Sequence, residues 1–502
     1  MKKEKSKAKS YAEIAEEHQE KKKAKRAPKV YEMRDAFFED EVSDGLLYNE
    51  NDKSFYKYSE GAYLIFPIDE FETMLDEFLL RRYNGRVDVT TQTIRELTRA
   101  VIRVNDEDKL MKVTGDYRSP RSAFKDKTFN FETFKVEKHD PKKPCFHKFD
   151  FDLPTKPHQT PALDSYFDNT FIDVEANEDK ELKEFMLDVL AYYISPVHSP
   201  VPVAVILHGS GSNGKSIFLK LVRWIVGEQF CSALSMEDLS EKFGAAELIG
   251  KKVNIVDEDQ SRYVRPDKIK ALITRDMIKA ERKFEAPFFF TPQAKHIIST
   301  NKELKFEDID YAITRRLNVV PFLRTFVPPN SNDPSVPRPD GKFVVEGNMD
   351  LEDQLKKELP AIVYKLIQRL KALQANKYIL KMPKTLSSTK RQLEISSSSA
   401  LEFFHEYYEY NPDYEELVST EMVYEQYKSW YEFSGKPERF MMQSRHFWDV
   451  INKNFPSTKT EKKTYYMQKR TGAKQHMYPI RFNNGGDPGQ PQMEPGFEDR
   501  IL

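Results

Sequence analysis

The sequence predicts an α/β chain built on a largely parallel sheet, with an α+β accessory domain before that sheet and a winged helix after it. Three observations predict this. Between residues 203 and 322 the apolar runs VAVIL, KVNIVD, KHIIST and LNVVPF alternate with helical or irregular stretches, the pattern of strands joined by crossovers. The first run opens into a glycine-rich loop, HGSGSNGKS, with another apolar run behind it. On either side the character changes: aromatic runs mixed with helix patterns come before, and two amphipathic helices with a basic stretch come after.

In chain order, residues 1–30 are lysine-rich with interleaved glutamates and read as a solvated tail, disordered or partly helical, with Glu17 and Lys21 at i,i+4 spacing. A DNA-binding arm is the alternative for that tail. Residues 31–158 form the accessory domain, with LLYNENDKSFYKYSEGAYLIFP followed by the helix patterns FETMLDEFLLRRY and TTQTIRELTRAVIRV. The proline-rich KHDPKKPCFHKFDFDLPTKPHQTPALD at its end reads as a connection. Residues 159–375 hold the sheet, entered through the amphipathic KELKEFMLDVLAYYI and left through a proline-rich loop and the helix LEDQLKKELPAIVYKLIQRLKAL. A linker covers 376–399, the last compact region 400–485, and a Gly- and Pro-rich tail, expected to be disordered, 486–502.

Composition bounds the function. Basic and acidic residues number 79 and 80, so net charge argues neither for nor against a nucleic-acid partner. The two cysteines, Cys145 and Cys231, lack metal-ligand spacing and make a disulfide framework or zinc site a poor reading. No apolar run reaches the roughly 20 residues that span a bilayer, and the charged N-terminus is no secretory signal. A cytoplasmic protein with no membrane partner is the expectation.

The loop Gly209-Ser210-Gly211-Ser212-Asn213-Gly214-Lys215-Ser216 matches GxxxxGK[ST] between a strand and a helix, the context of a P-loop. Its glycines let backbone N–H groups curl around a phosphate, and the helix N-terminus adds partial positive charge. Lys215 suits the β- and γ-phosphates of ATP, and Ser216 suits Mg²⁺. KKVNIVDEDQ then ends a strand in Asp257 and Glu258, one carboxylate for the Mg²⁺ shell and the other for an attacking water. KHIISTN ends in Asn301, a γ-phosphate sensor or simply a turn former. ITRRLNVVPF sets Arg315 and Arg316 before a fourth strand, where an arginine suits a transferring phosphoryl group.

In this order, GSGSNGKS, GKKVNIVDED, ITRDMIKAERKFEAPFFFTPQAKHIISTN and TRRLNVVPF resemble the core of a superfamily 3 helicase, of the poxvirus and phage primase–helicase type, over about 160–375. The resemblance implies an AAA+-like P-loop ATPase core in a hexameric ring, with Lys215 and Ser216 as Walker A, Asp257 and Glu258 as Walker B, and Asn301 as sensor. It makes Arg316 the arginine finger, with Arg315 the runner-up. A β-hairpin in the channel would grip single-stranded DNA through Lys283 and Phe284, with Arg282 and Lys279 beside them. Two departures stand out: Thr274-Arg275-Asp276 replaces a glycine–aspartate step, and NKEL after the sensor lacks a proline.

Asp150-x-Asp152 is the one pair suggesting a primase metal site, but it has no room for a primase sheet and reads as part of the connection. In the C-terminal region, TEMVYEQYKSWYEFSG, SRHFWDVINKNF and a basic stretch suit a winged helix-turn-helix. Arg445, His446 and Lys453 would face duplex DNA, with Lys462, Lys463, Lys469 and Arg470 on the wing, unless the wing is a protein-binding one. The expected function is an ATP-dependent DNA helicase of phage or mobile-element replication in a bacterial host cytoplasm, moving 3′→5′ as the resemblance implies, with a separate primase or loader as possible partner. The alternative is an origin-binding initiator ATPase that uses ATP to control assembly.

Overall fold

The structure is a computed structural model. It describes residues 26–455 except 43–44, 108, 114–118, 198–202, 242, 259–265, 284, 302–315, 330–336, 338–339, 388–394, 396–397, 412–417, 435–437 and 439–440, together with 477–478 and 480–482. The lysine-rich stretch up to residue 25, the basic stretch 456–476 and the tail from 483 lie outside the described residues.

The accessory region opens with α1 (Val30–Glu41), followed by an antiparallel meander of β1 (Leu46–Asn49), β2 (Ser54–Ser59) and β3 (Ala62–Phe66). The helices α2 (Ile68–Tyr83) and α3 (Thr91–Ile102) follow, and β4 (Met111–Val113) joins β1 in parallel. In α3, Ile94, Leu97 and Val101 recur on one buried face, and the Thr90 hydroxyl accepts from the Thr93 amide to cap the helix. These residues close a cluster with Phe37, Phe55, Phe71 and Phe78, in which Phe55 and Phe71 stack at 4.0 Å.

A second small sheet follows: β5 (Arg121–Ala123), β6 (Thr128–Asn130) and β7 (Lys135–Glu137). Packing does not change at 158. Phe124, Phe129, Phe131 and Phe149 share a core with Phe218 and Leu221, which lie far downstream. The proline-rich connection is stitched into that core, with the Ala123 amide donating to the His147 carbonyl and the Phe149 amide to the Ala123 carbonyl. The buried His147 ring donates from Nε2 to the Val226 carbonyl at 2.8 Å, because a carbonyl can only accept, and its Nδ1 takes the Ser122 hydroxyl at 2.9 Å.

The central region runs α4 (Pro161–Thr170), α5 (Lys180–Ile194), β8 (Ala204–His208), α6 (Lys215–Val226), β9 (Cys231–Ser232), α7 (Met236–Ser240), β10 (Val253–Val256) and α8 (Pro266–Thr274). A hairpin of β11 (Ile278–Ala280) and β12 (Phe288–Phe290) precedes β13 (Lys295–Thr300) and β14 (Leu317–Pro321), and β15 (Thr325–Val327), β16 (Val344–Glu346) and the long α9 (Leu351–Ala375) complete it. Five strands form one sheet in the order β14–β8–β13–β10–β9, all parallel, so the chain is a mixed α/β protein with a parallel sheet. The four apolar runs of the sequence are four of its strands.

The period of two along each strand sorts the side chains into two cores. Val205, Leu207, Val253, Ile255 and Ile297 join the cluster containing Phe218 of α6 and Leu366 of α9. Ala204, Ile206, Val256, Ile298 and Val319 join the one containing Leu272 of α8 and Phe288 of the hairpin. Helices on one face and the hairpin on the other therefore leave the sheet covered on both sides, which is why its strands read as continuous apolar runs.

The C-terminal region holds α10 (Ser399–Tyr407), β17 (Tyr408–Tyr410), β18 (Val418–Ser419), α11 (Thr420–Phe433), α12 (Ser444–Asn454), β19 (Met477–Tyr478) and β20 (Ile480–Phe482). Its core is aromatic, centred on Tyr427, Phe403 and Phe447, and β17 pairs with β20 and β18 with β19, both antiparallel. Among the described residues no helix is long and apolar enough to cross a membrane.

Two buried histidines make the fold acid-sensitive. Burial pushes His147 down to about 3 and His296 to about 4. Both pKa values are depressed in the folded state, so the unfolded chain binds more protons between those values and about 6.5, and stability falls as pH drops through that window. Each histidine should remove about 2 kcal/mol between pH 7 and pH 5. Denaturant unfolding of His147→Gln across that range should show a shallower pH slope than the parent, and an unchanged slope contradicts the assignment.

Candidate active site

The glycine-rich loop joins β8 to α6 at the carboxyl edge of the sheet, where the neighbours of β8 diverge. Edges of this kind gather ligands in open parallel sheets. Gly214 takes φ 89°, a left-handed turn into the helix that suits a residue without Cβ. Gly209 is required by space: a Cβ there would lie 2.5 Å from the Phe322 carbonyl oxygen and 2.3 Å from Asn213 Nδ2.

Three long-range hydrogen bonds fix the loop. Asn213 Nδ2 donates to the Phe322 carbonyl at 3.3 Å, the Phe326 amide donates to the Ser212 carbonyl at 2.7 Å, and the Tyr166 hydroxyl donates to the Gly214 carbonyl at 2.9 Å. Inside the loop, Lys215 Nζ donates to the carbonyls of Gly209 (2.7 Å) and Ser210 (3.0 Å) and to Asn213 Oδ1 (2.9 Å). Burial lowers the pKa of the ammonium, while the charges of Asp257 and Glu258 act in the opposite direction.

The loop forms one wall of a cavity of about 420 Å³ that also takes in Ser216, Asp257, Glu258, Ser299 and Asn301. Asp257 and Glu258 follow β10 and are exposed to the cavity, and Glu258 turns the chain with φ 55°. Asn301 Nδ2 donates to Glu258 Oε1 at 3.2 Å, which orients that carboxylate. The structure therefore brings together the lysine, serine, acids and amide singled out in the sequence. A cation, hydroxyl and carboxylate oxygens around one space can bind a polyanion together with a hard divalent cation.

The rest of the lining was not legible from motifs. Tyr166 and Asn169 of α4, Phe326 of β15, Asn348 and Leu351, the first residue of α9, also line the cavity. Their sequence neighbourhoods carry no short signature. Strand parity does point to Ser299, because it shares the face of Ile297 on β13, one of the residues packed against α6.

Arg316 lies elsewhere. Arg316 precedes β14, and its carbonyl accepts from the Ala204 amide at the amino edge of the sheet. A five-residue strand separates that edge from the loop by roughly 16 Å, so Arg316 is out of reach of the cavity in its own chain. Arg315 and the NKEL segment beyond Asn301 are outside the described residues.

On the hairpin, Lys279 is exposed opposite Phe289, and Lys283 is exposed at the turn, with Phe284 outside the described residues. Arg282 departs from the expected grouping with these lysines. Its Nη2 donates to the Ser54 hydroxyl of the accessory region at 2.8 Å, and its guanidinium lies 4.9 Å from the Phe288 ring centroid. Its fork is thus committed to the accessory region, within a few ångströms of Glu285 (3.5 Å).

The unusual Thr274-Arg275-Asp276 step places Arg275 at φ 58°, a left-handed turn that a glycine would take without strain, with the Thr274 hydroxyl donating to Asp276 Oδ2. Asp150 pairs with Lys148 at 3.6 Å. Arg445, His446 and Lys453 are exposed on α12, whereas Lys462, Lys463, Lys469 and Arg470 are outside the described residues.

Residues 207–316 match a protein family described as a family of unknown function (DUF5906). Over 158 residues, 30% of this chain, the sequence is 29% identical to a protein of Acanthamoeba polyphaga mimivirus named "Putative helicase L207/L206". The match spans 16% of that relative's length. Solved apo structures of the NrS-1 C-terminal region are similar over 87% of this chain and 96% of theirs, at 13% and 14% identity with TM-scores of 0.46 and 0.47.

Two of the three loop glycines offer a test of the packing. Gly209→Ala should lower stability by about 1–3 kcal/mol through overpacking against Phe322. Gly211→Ala, where a Cβ meets nothing within 4 Å, should leave the melting temperature unchanged. Equal melting temperatures for both variants would contradict the close approach.

Proposed function

We propose that this chain is an ATP-dependent DNA helicase of phage, viral or mobile-element replication, working as a ring of the superfamily 3 type with an AAA+-like core. One observation carries the reading: Lys215, Ser216, Asp257, Glu258 and Asn301 line a single cavity at the carboxyl edge of a parallel sheet ordered β14–β8–β13–β10–β9. The similarity to a mimivirus protein named as a helicase supports the same class.

In this reading the loop amides and the N-terminus of α6 hold the phosphate chain of ATP, and Lys215 exchanges its carbonyl partners for β- and γ-phosphate oxygens. The Ser216 hydroxyl and the Asp257 carboxylate fit Mg²⁺, a cation that prefers hard oxygen donors and supplies charge neutralisation at the phosphates. Glu258, oriented by Asn301, accepts a proton from the attacking water. The remaining lining, with Asn169 and Leu351, takes the nucleoside, while Tyr166 and Phe326 brace the loop.

Arg316, remote from its own cavity, acts on the nucleotide of a neighbouring subunit, which makes the ring a requirement of the chemistry. Lys283 and Lys279 on the hairpin follow the phosphate backbone of one DNA strand in the channel. A winged helix formed by 400–485 would present Arg445 and Lys453 to duplex DNA. The resemblance assigns 3′→5′ movement.

A forked-duplex assay tests the whole reading: ATP hydrolysis with no strand displacement points instead to an initiator ATPase. Lys215→Ala should reduce ATP turnover by about a hundredfold or more, as loss of a group that binds the transferring phosphate requires. Lys283→Ala should abolish strand displacement, and normal unwinding would remove the hairpin from the mechanism. Mixing Arg316→Ala with a Lys215→Ala chain should recover turnover, because one subunit supplies the finger and its neighbour the loop. Mixtures no more active than their components would exclude a role in trans.

A further inference from the structure

Ser299 is a cavity residue to which the roles above give no task. It sits on β13 beside Leu207 of β8, one step beyond the last β10–β13 pair, Val256 with Ile298. That register sets it level with Asp257. Ile297 packs on the α6 face of the sheet and Ile298 on the opposite face, so Ser299 lies on the α6 side, beneath the loop that carries Lys215. The residue is 0% exposed, yet its hydroxyl has no hydrogen-bond partner among the described residues.

A buried hydroxyl without a partner destabilises a fold, and an alanine of nearly the same volume would remove the penalty. Ser299 nevertheless lines the cavity shared by Ser216, Asp257 and Glu258, with its oxygen covered rather than open to it. Its partner therefore belongs to what the cavity binds.

We propose that Ser299 is a positioning residue for the divalent cation, its hydroxyl hydrogen-bonding a water of the cation's shell next to Asp257. The proposal rests on reading the cavity as a Mg²⁺–nucleotide site. It gives the serine a second-layer role: the cation is held by Asp257 and Ser216, and Ser299 fixes the water that completes their geometry. Groups at this remove commonly change metal affinity by about 10–100-fold when deleted.

The test compares the parent with Ser299→Ala and Ser299→Cys, the latter filling similar space with a poor hydrogen-bonding group. Thermal melts are recorded ligand-free, with ADP in EDTA, and with ADP across a Mg²⁺ titration. Ligand-free Ser299→Ala should melt at or above the parent temperature. ADP without metal should stabilise all three chains equally, while the Mg²⁺ concentration giving half of the additional shift should rise about tenfold in both variants.

A lower ligand-free melting temperature for Ser299→Ala overturns the proposal, since the hydroxyl would then be satisfied within the protein. An unchanged Mg²⁺ midpoint, or equal weakening of ADP with and without metal, also overturns it while leaving the nucleotide site standing. If the parent shows no shift with Mg²⁺–ADP, the nucleotide reading fails and the proposal fails with it.

Discussion

The site depends on one ammonium group held in a ring of oxygens that carry no formal charge. Lys215 donates to two loop carbonyls and one side-chain amide oxygen. Those contacts satisfy the ammonium without neutralising it, so its charge remains available to an anion in the cavity. A carboxylate in their place would compete with any phosphate for the same charge. Asp257 and Glu258 are near enough to be felt electrostatically but are not hydrogen-bonded to it, which leaves them free for a cation or a water.

Keeping that geometry requires the loop to be held from outside, and the rest of the fold supplies the ties. The Phe322 carbonyl and the Phe326 amide come from the segment that leaves β14, and the Tyr166 hydroxyl comes from α4. Two of the three tethers are rooted in the main core: Tyr166 and Phe322 are buried there with Phe218 of α6. The parallel sheet then sets the depth. Leu207 and Ser299 are paired across β8 and β13 and share one face of the sheet, which places the serine under the loop rather than beside it.

These relations explain what could be read from the chain alone. Residues whose role depends on a short spacing were legible: Lys215 and Ser216 in the loop, Asp257 and Glu258 at a strand end, and Asn301 at another. So were the four strands, because a sheet covered on both faces leaves continuous apolar runs. Residues defined by partners far along the chain were not. Nothing near Tyr166 or Phe326 points to the loop, and nothing in ERKFEAP distinguishes Arg282, which reaches Ser54 across 228 positions, from the exposed Lys283 beside it. The core shared across residue 158, with Phe124 and Phe149 packed beside Phe218, was hidden for the same reason. Prolines in the connection mark irregular backbone, but irregular backbone can still be buried when its groups find partners, as His147 does with Ser122 and Val226.

A second buried lysine shows why the surroundings, and not the residue type, assign the function. Lys295 at the start of β13 donates to the carbonyls of Tyr192 and Ser195 at the end of α5, with its ammonium 4.1 Å from the Tyr192 ring centroid. Both lysines sit among carbonyl oxygens, and burial lowers the pKa of both. Lys295, however, caps a helix carboxyl end, where the dipole favours a cation, and lies at the amino edge of its strand, away from the cavity. Its oxygens are end carbonyls of a buried helix terminus, which would be left without that partner if the ammonium turned to a ligand. Those around Lys215 belong to a loop opening onto about 420 Å³ of space, and releasing them for a ligand requires no secondary structure to break. The same cation is a structural pin in one setting and an exchangeable anion contact in the other.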